Sequence, residues 1–70
     1  MNYTIPGSFS LEAFISACLA SGLRLEYDGV NEAHGSISLS GVVLSVYLND
    51  PNAANKSIVA AAMVAQGWAP

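Results

Sequence analysis

The alternation of apolar and small polar residues from Ser36 to Leu48, SISLSGVVLSVYL, limits the possible folds more than any other feature of this chain. A period of two is typical of strands with one buried face, and a glycine inside such a run predicts a turn. We expect a two-residue turn at Ser40 and Gly41. It would give two antiparallel pairs, Leu39 with Val42 and Ile37 with Leu44.

This register divides the hairpin into two faces. The apolar face contains Ile37, Leu39, Val42, Leu44, Val46 and Leu48. The opposite face contains Ser36, Ser38, Ser45 and Tyr47, with His34 opposite Tyr47 where the pairing continues. One face therefore belongs to the core, and the other meets water or a partner.

An amphipathic helix is predicted over residues 10 to 21, where apolar residues recur on one face at helical spacing. Ser10 is the expected N-cap, Phe9 and Phe14 can form a hydrophobic staple, and Gly22 ends the helix. The opposite side is a strip of small residues that permits close approach of another backbone: Ala13, Ser16, Ala17 and Ala20.

Residues 23 to 27 alternate with a period of two and predict a further strand. Asp28 and Gly29 end this strand. A two-residue turn there would conflict with the later pattern, so we expect a longer or bulged connection through Asn31 and Glu32.

The pair Asp50-Pro51 predicts the start of a second helix, with Asp50 as its N-cap. This helix is expected from Pro51 to Gln66, and Gly67 is a natural stop. Its segment Ile58 to Ala65, IVAAAMVA, has no polar side, which suggests burial on a second side.

The order of these elements predicts one α+β domain over residues 1–70. We expect a three-stranded antiparallel sheet with two helices on one face, in the order (β)αβββα. The bracketed element is a short strand at Tyr3 to Ile5.

Self-association is the expected source of additional buried area, because a chain of 70 residues buries too little surface to be more than marginally stable alone. We expect the sheet to cover the stripe Ile58, Ala61, Ala62 and Ala65. The expected surface for another copy or a partner is then Val59, Met63, Val64, Trp68, Ala13, Ala17 and Ala20.

Composition excludes several classes of function. Arg24 and Lys56 are the only cations in a chain of net charge −3, which disfavours duplex nucleic acid as a partner. The uncharged residues 57–70 are too few to span a bilayer, and residues 1–8 show no signal peptide, so we expect a cytoplasmic protein.

Cys18 is the only cysteine and His34 the only histidine. We therefore expect a buried thiol, no metal and no cofactor.

Catalysis has few candidates in this sequence. The serines of the hairpin alternate with apolar residues and form no nucleophile motif, so we expect no enzyme, and His34 as a catalytic base remains a third alternative. The start of the second helix is the candidate site for an anionic group such as a nucleotide. Its residues would be Asn52, Asn55 and Lys56, with Arg24 of the same or another copy.

These observations predict a non-catalytic homo-oligomeric binding protein that blocks a partner protein or sequesters a small anionic ligand. In scale and acidity it is similar to small phage or mobile-element proteins that inhibit host defence systems. The alternative is a docking module that joins larger proteins through a sheet edge or the small-residue strip. The order of helix, Gly22-Leu23-x-Leu25 and Asp28-Gly29 resembles the docking domains of nonribosomal peptide assembly lines over less than a third of the chain, too little to assign the family.

Overall fold

Residues 35–48 form the predicted hairpin at the centre of a four-stranded mixed sheet. The computed structural model describes residues 1–27 and 34–69. The elements in chain order are β1 (Asn2–Thr4), α1 (Leu11–Ala20), β2 (Leu25–Tyr27), β3 (Gly35–Ser40), β4 (Val43–Leu48) and α2 (Ala53–Ala65). The strands lie in the order β1-β4-β3-β2, and the α+β class is confirmed.

The turn of the hairpin lies one residue further along the chain than predicted. Ser40 pairs with Val43, so that Gly41 and Val42 form the turn, and Gly41 has a φ of 60°. Such a φ suits glycine at the first central position of a hairpin turn. Because the pairing shifts by two residues, the two faces stay as predicted, but Val42 moves from the core to the turn and is 63% exposed.

The two faces of the sheet differ sharply in burial. The inner face supplies core side chains from all four strands: Tyr3, Leu25, Ile37, Leu44, Val46 and Leu48. The outer face carries the hairpin serines, Tyr47, Asn2 and Thr4, and neither α1 nor α2 covers it. Both helices add residues to the same core cluster, so they lie on one face of the sheet.

The prediction of a purely antiparallel sheet is wrong, because β2 runs parallel to β3. His34 accounts for the start of this pairing. Its backbone N–H donates to the Arg24 carbonyl at 3.0 Å, and its Nδ1 accepts from the Arg24 N–H at 2.8 Å. The predicted connection through Asn31 and Glu32 lies outside the described residues.

The first helix begins and ends as predicted. Ser10 Oγ accepts a hydrogen bond from the Ala13 N–H at 3.3 Å, and the rings of Phe9 and Phe14 are 5.9 Å apart. The acceptor satisfies an amide that has no partner inside the helix, and the ring pair fixes the direction of the entering chain.

The second helix begins at Ala53, two residues later than predicted, and its N-cap is Asn52 rather than Asp50. Asn52 Oδ1 accepts from the Asn55 N–H at 2.8 Å. Asp50 supports this cap instead: its carboxylate accepts from Asn52 Nδ2 at 3.2 Å, and its carbonyl accepts from Asn55 Nδ2 at 2.9 Å.

Both helices end at a glycine with positive φ, 86° at Gly22 and 93° at Gly67. The amide after each glycine donates back into the last turn, which satisfies carbonyls at the helix end. These bonds run from Leu23 N–H to Cys18 O at 2.9 Å and from Trp68 N–H to Met63 O at 3.1 Å. The side chains that follow the two glycines therefore turn back toward the core.

The packing around Gly35 leaves no room for a side chain. A Cβ at this position would collide with the carbonyl oxygen of Tyr47 and crowd Leu25 and Leu48. We expect Gly35→Ala to lower the free energy of unfolding by about 3 kcal/mol, since the obstacle is backbone that cannot rotate away. Urea denaturation of the purified variants measures this change.

Gly7→Ala is the matched control, because a Cβ at Gly7 meets nothing within 4 Å. The control should unfold within about 0.5 kcal/mol of the parent. Equal stability of the two variants would show that the strands at Gly35 are further apart than described.

Candidate functional site

The residues that could carry catalysis form no hydrogen-bonded set among residues 1–27 and 34–69. Ser38 and Ser40 are exposed on the outer face of the sheet, and Ser36 is half-buried there. The Nδ1 of His34 accepts the Arg24 amide, so this atom positions backbone. Among residues 1–27 and 34–69, no hydroxyl or carboxylate is hydrogen-bonded to the ring. A base oriented toward a nucleophile is thus not assembled in this part of the chain.

The residues expected to hold an anion are occupied by helix capping. The side-chain amides of Asn52 and Asn55 form hydrogen bonds within the cap, and the carboxylate of Asp50 accepts one of these bonds from Asn52. Lys56 is exposed one residue further on. Arg24 instead forms an exposed ion pair with Glu26, with Nε 3.1 Å from Oε1. A carboxylate inside the cap repels an anionic ligand, so the geometry disfavours this site.

The side of α2 that is buried in the core differs from the predicted one. Val59 and Met63 are fully buried in the core of the protomer, and Ala62 is nearly so. Ile58 is half-buried, while Ala61 and Ala65, expected against the sheet, are exposed. The expectation that Val59 and Met63 meet another chain is therefore wrong. Burying these two side chains removes more apolar area from water than burying alanines.

The outward side of the two helices forms a surface of small residues with two large ones. We call it the helix surface, and it consists of Ala13, Ser16, Leu19 and Ala20 on α1 and Ala61, Val64 and Ala65 on α2. Leu19 is 53% exposed and Val64 is 55% exposed. Three predicted interface residues, Ala13, Ala20 and Val64, lie on this surface.

Two other predicted interface residues pack partly into the protomer. Ala17 is half-buried, and Trp68 lies against Tyr3 with ring centroids 5.0 Å apart in an edge-to-face arrangement. The tryptophan therefore folds back on its own domain, held by the turn at Gly67. It retains a partly exposed side.

A cleft that the sequence did not reveal lies where β1 begins beside β4. Its volume is about 230 Å³, and it is lined by Met1, Val46, Tyr47, Leu48 and Pro51. Pockets for drug-sized ligands are larger, from about 300 Å³ upward. The cleft depends on the pairing of β1 with β4, and no local pattern in the sequence encodes that pairing.

The core contains two groups that titrate at alkaline pH. Burial raises the pKa of the Cys18 thiol from 9.0 to about 11. Burial also raises the pKa of Tyr3, with a smaller contribution from the charge of Cys18. A buried, protonated thiol is a poor nucleophile, in agreement with the expectation of a packing role for this cysteine.

The described residues contain no group of three metal-ligating side chains. In residues 1–27 and 34–69, no helix has the length and apolar character needed to cross a bilayer. Comparisons with family models, with curated proteins and with solved structures find no match to this chain. The inference of function therefore rests on the surfaces just described.

Neighbouring residues on α2 offer a direct test of its orientation. We expect Met63→Lys to unfold the protomer, with a loss of about 4 kcal/mol, because the ammonium would replace a fully buried side chain without a partner. Val64→Lys should change stability by less than about 0.5 kcal/mol, since Val64 faces water. Circular dichroism during thermal unfolding distinguishes the two.

The raised pKa of Cys18 gives a signed dependence of stability on pH. The thiol loses its proton more easily in the unfolded chain, so the free energy of unfolding should fall as pH rises from 9 toward 11. Between pH 9 and 10, the free energy of unfolding of the parent should fall by about 1 kcal/mol more than that of the Cys18→Ala variant. Parallel pH curves for the two proteins, measured by urea denaturation, would contradict the burial of this thiol.

Proposed function

We propose that this chain is a non-catalytic protein that associates with itself and binds a partner protein through the helix surface. The exposure of Leu19 and Val64 carries this proposal. Each is a large aliphatic side chain that stays more than half exposed, and the residues around it on the helix surface are mostly alanines. Full burial of such a side chain from water is worth about 1.5–3 kcal/mol, so covering the exposed half of each gains roughly half of that.

The low charge of the helices supports the same proposal. Glu12 is the single charged residue of α1, and Lys56 is the single charged residue of α2. Both belong to the N-terminal part of their helix, so the C-terminal turns that carry Leu19 and Val64 contain no charged side chain. Depletion of charge at the centre is the compositional mark of a protein interface.

Binding a protein is better supported than sequestering an anion. The polar groups at the start of α2 are engaged in the cap, with the Asp50 carboxylate among them. A small non-catalytic protein inhibits by occupying a surface of its target. This is how an inhibitor of phage or mobile-element type would act, and we propose that role for the chain.

A docking module is the second candidate, and the position of β1 at the edge of the described sheet favours it. An exposed edge strand can accept an extended segment of another protein through backbone hydrogen bonds. The two candidates differ in the surface that binds, which is the helix surface for an inhibitor and the sheet edge for a docking module.

Affinity capture with matched baits tests the proposal. Tagged parent protein and Leu19→Lys/Val64→Lys double variant are incubated with extract of the source cells, and retained proteins are quantified by mass spectrometry. We expect a specific partner to be depleted on the order of tenfold with the double variant, because two lysines would be buried at the interface.

Ser38→Lys is the control bait, since Ser38 is exposed on the opposite side of the molecule, on the outer face of the sheet. It should retain the partner like the parent. Loss of the partner with Ser38→Lys, and retention with the double variant, would assign binding to the sheet and overturn the role of the helix surface.

A further inference from the structure

On one side, the backbone of β1 is hydrogen-bonded to β4, and on the other side the described residues provide no partner strand. Met1 and Val46 exchange both of their backbone hydrogen bonds, at 2.7 and 2.8 Å, and the Ile5 N–H donates to the Val42 carbonyl. In an antiparallel pair, residues alternate between bonding inward and bonding outward. Asn2 and Thr4 therefore direct their N–H and C=O groups away from β4, and the described residues supply no partner for these amides.

The two edges of the sheet are protected unequally. The β2 edge bears the Arg24–Glu26 ion pair and lies beside α1. Charged side chains are a common device for preventing unwanted strand pairing. Residues 1–5 carry no charged side chain and no proline, so the β1 edge lacks that protection.

We propose that two copies of this chain pair through β1, antiparallel and centred on Tyr3, to form one continuous eight-stranded sheet. The inference rests on the self-association that is part of the proposed function, and it names the contact. With Tyr3 on the two-fold axis, Asn2 of each copy lies opposite Thr4 of the other. All four outward-facing residues of the pair then exchange backbone hydrogen bonds.

The side chains of β1 match in this register. Asn2 and Thr4 are polar and lie on the outer face, so each meets a polar neighbour. Met1, 42% exposed, comes opposite the half-buried Ile5 of the second copy on the inner face. The net charge of −3 per copy does not oppose this contact, since residues 1–5 carry no acidic side chain.

This symmetry has a consequence for the helix surface. An axis that relates antiparallel edge strands is perpendicular to the sheet, so the inner faces of both copies point to the same side. The two helix surfaces then lie on one side of the dimer, both free for a partner.

Sedimentation equilibrium from micromolar to millimolar concentration tests the contact. Thr4→Pro removes the outward N–H of Thr4 and leaves the bonds between β1 and β4 intact, because residues 1, 3 and 5 make those bonds. We expect the parent to dimerise and Thr4→Pro to dimerise on the order of tenfold more weakly or not at all. Thr4→Val keeps the N–H and should stay close to the parent.

Amide hydrogen exchange of the parent, followed by NMR, makes the test independent of the proline variant. The amides of Asn2 and Thr4 should gain protection as concentration rises, because pairing covers them. Dimerisation without protection at these amides, or with full strength in a folded Thr4→Pro, would overturn the β1 contact and leave self-association through another surface. A parent that stays monomeric throughout would overturn both the contact and the self-association in the proposed function.

Discussion

The close approach of three strands at Gly35 is the constraint on which the rest of this structure depends. Gly35 lies between Leu25 of β2 and Leu48 of β4, against the carbonyl of Tyr47, in a space that holds no side chain. Next to it, His34 binds both backbone groups of Arg24. These contacts hold β2 parallel to β3, and the parallel strand places the buried Leu23 and Leu25 in the core.

Local patterns predicted the elements of this fold well because their causes are local. Ser10, Gly22 and Gly67 act on amides and carbonyls within a few residues of themselves. The register of the hairpin was harder to predict. A shift of two residues leaves the same side chains on each face of an alternating strand, so only the position of the turn determines which residues pair. The direction of β2 could not be predicted from the residues of the strand itself, because it depends on contacts at His34 and Gly35, which follow the strand in the chain.

The orientation of α2 shows a different limit. A helix that is apolar on all sides carries no periodic signal to say which side is buried. The larger side chains are then the buried ones: Val59 and Met63 lie in the core, while Ala61, Ala65 and Val64 stay exposed. Prediction of the candidate site failed in part for the same reason. Its surface is defined by what remains exposed after the core has filled, and the asparagines that suggested a ligand are used by the cap.

The contact between Tyr3 and Trp68 joins the two ends of the chain, with ring centroids 5.0 Å apart. Its formation closes a loop of almost the whole chain, which is costly in entropy until the sheet has brought β1 to β4. Trp68 is the only tryptophan, so the intrinsic fluorescence of this protein reports on that closure. A kinetic experiment that follows tryptophan emission therefore observes this long-range contact, while far-ultraviolet dichroism observes the helices.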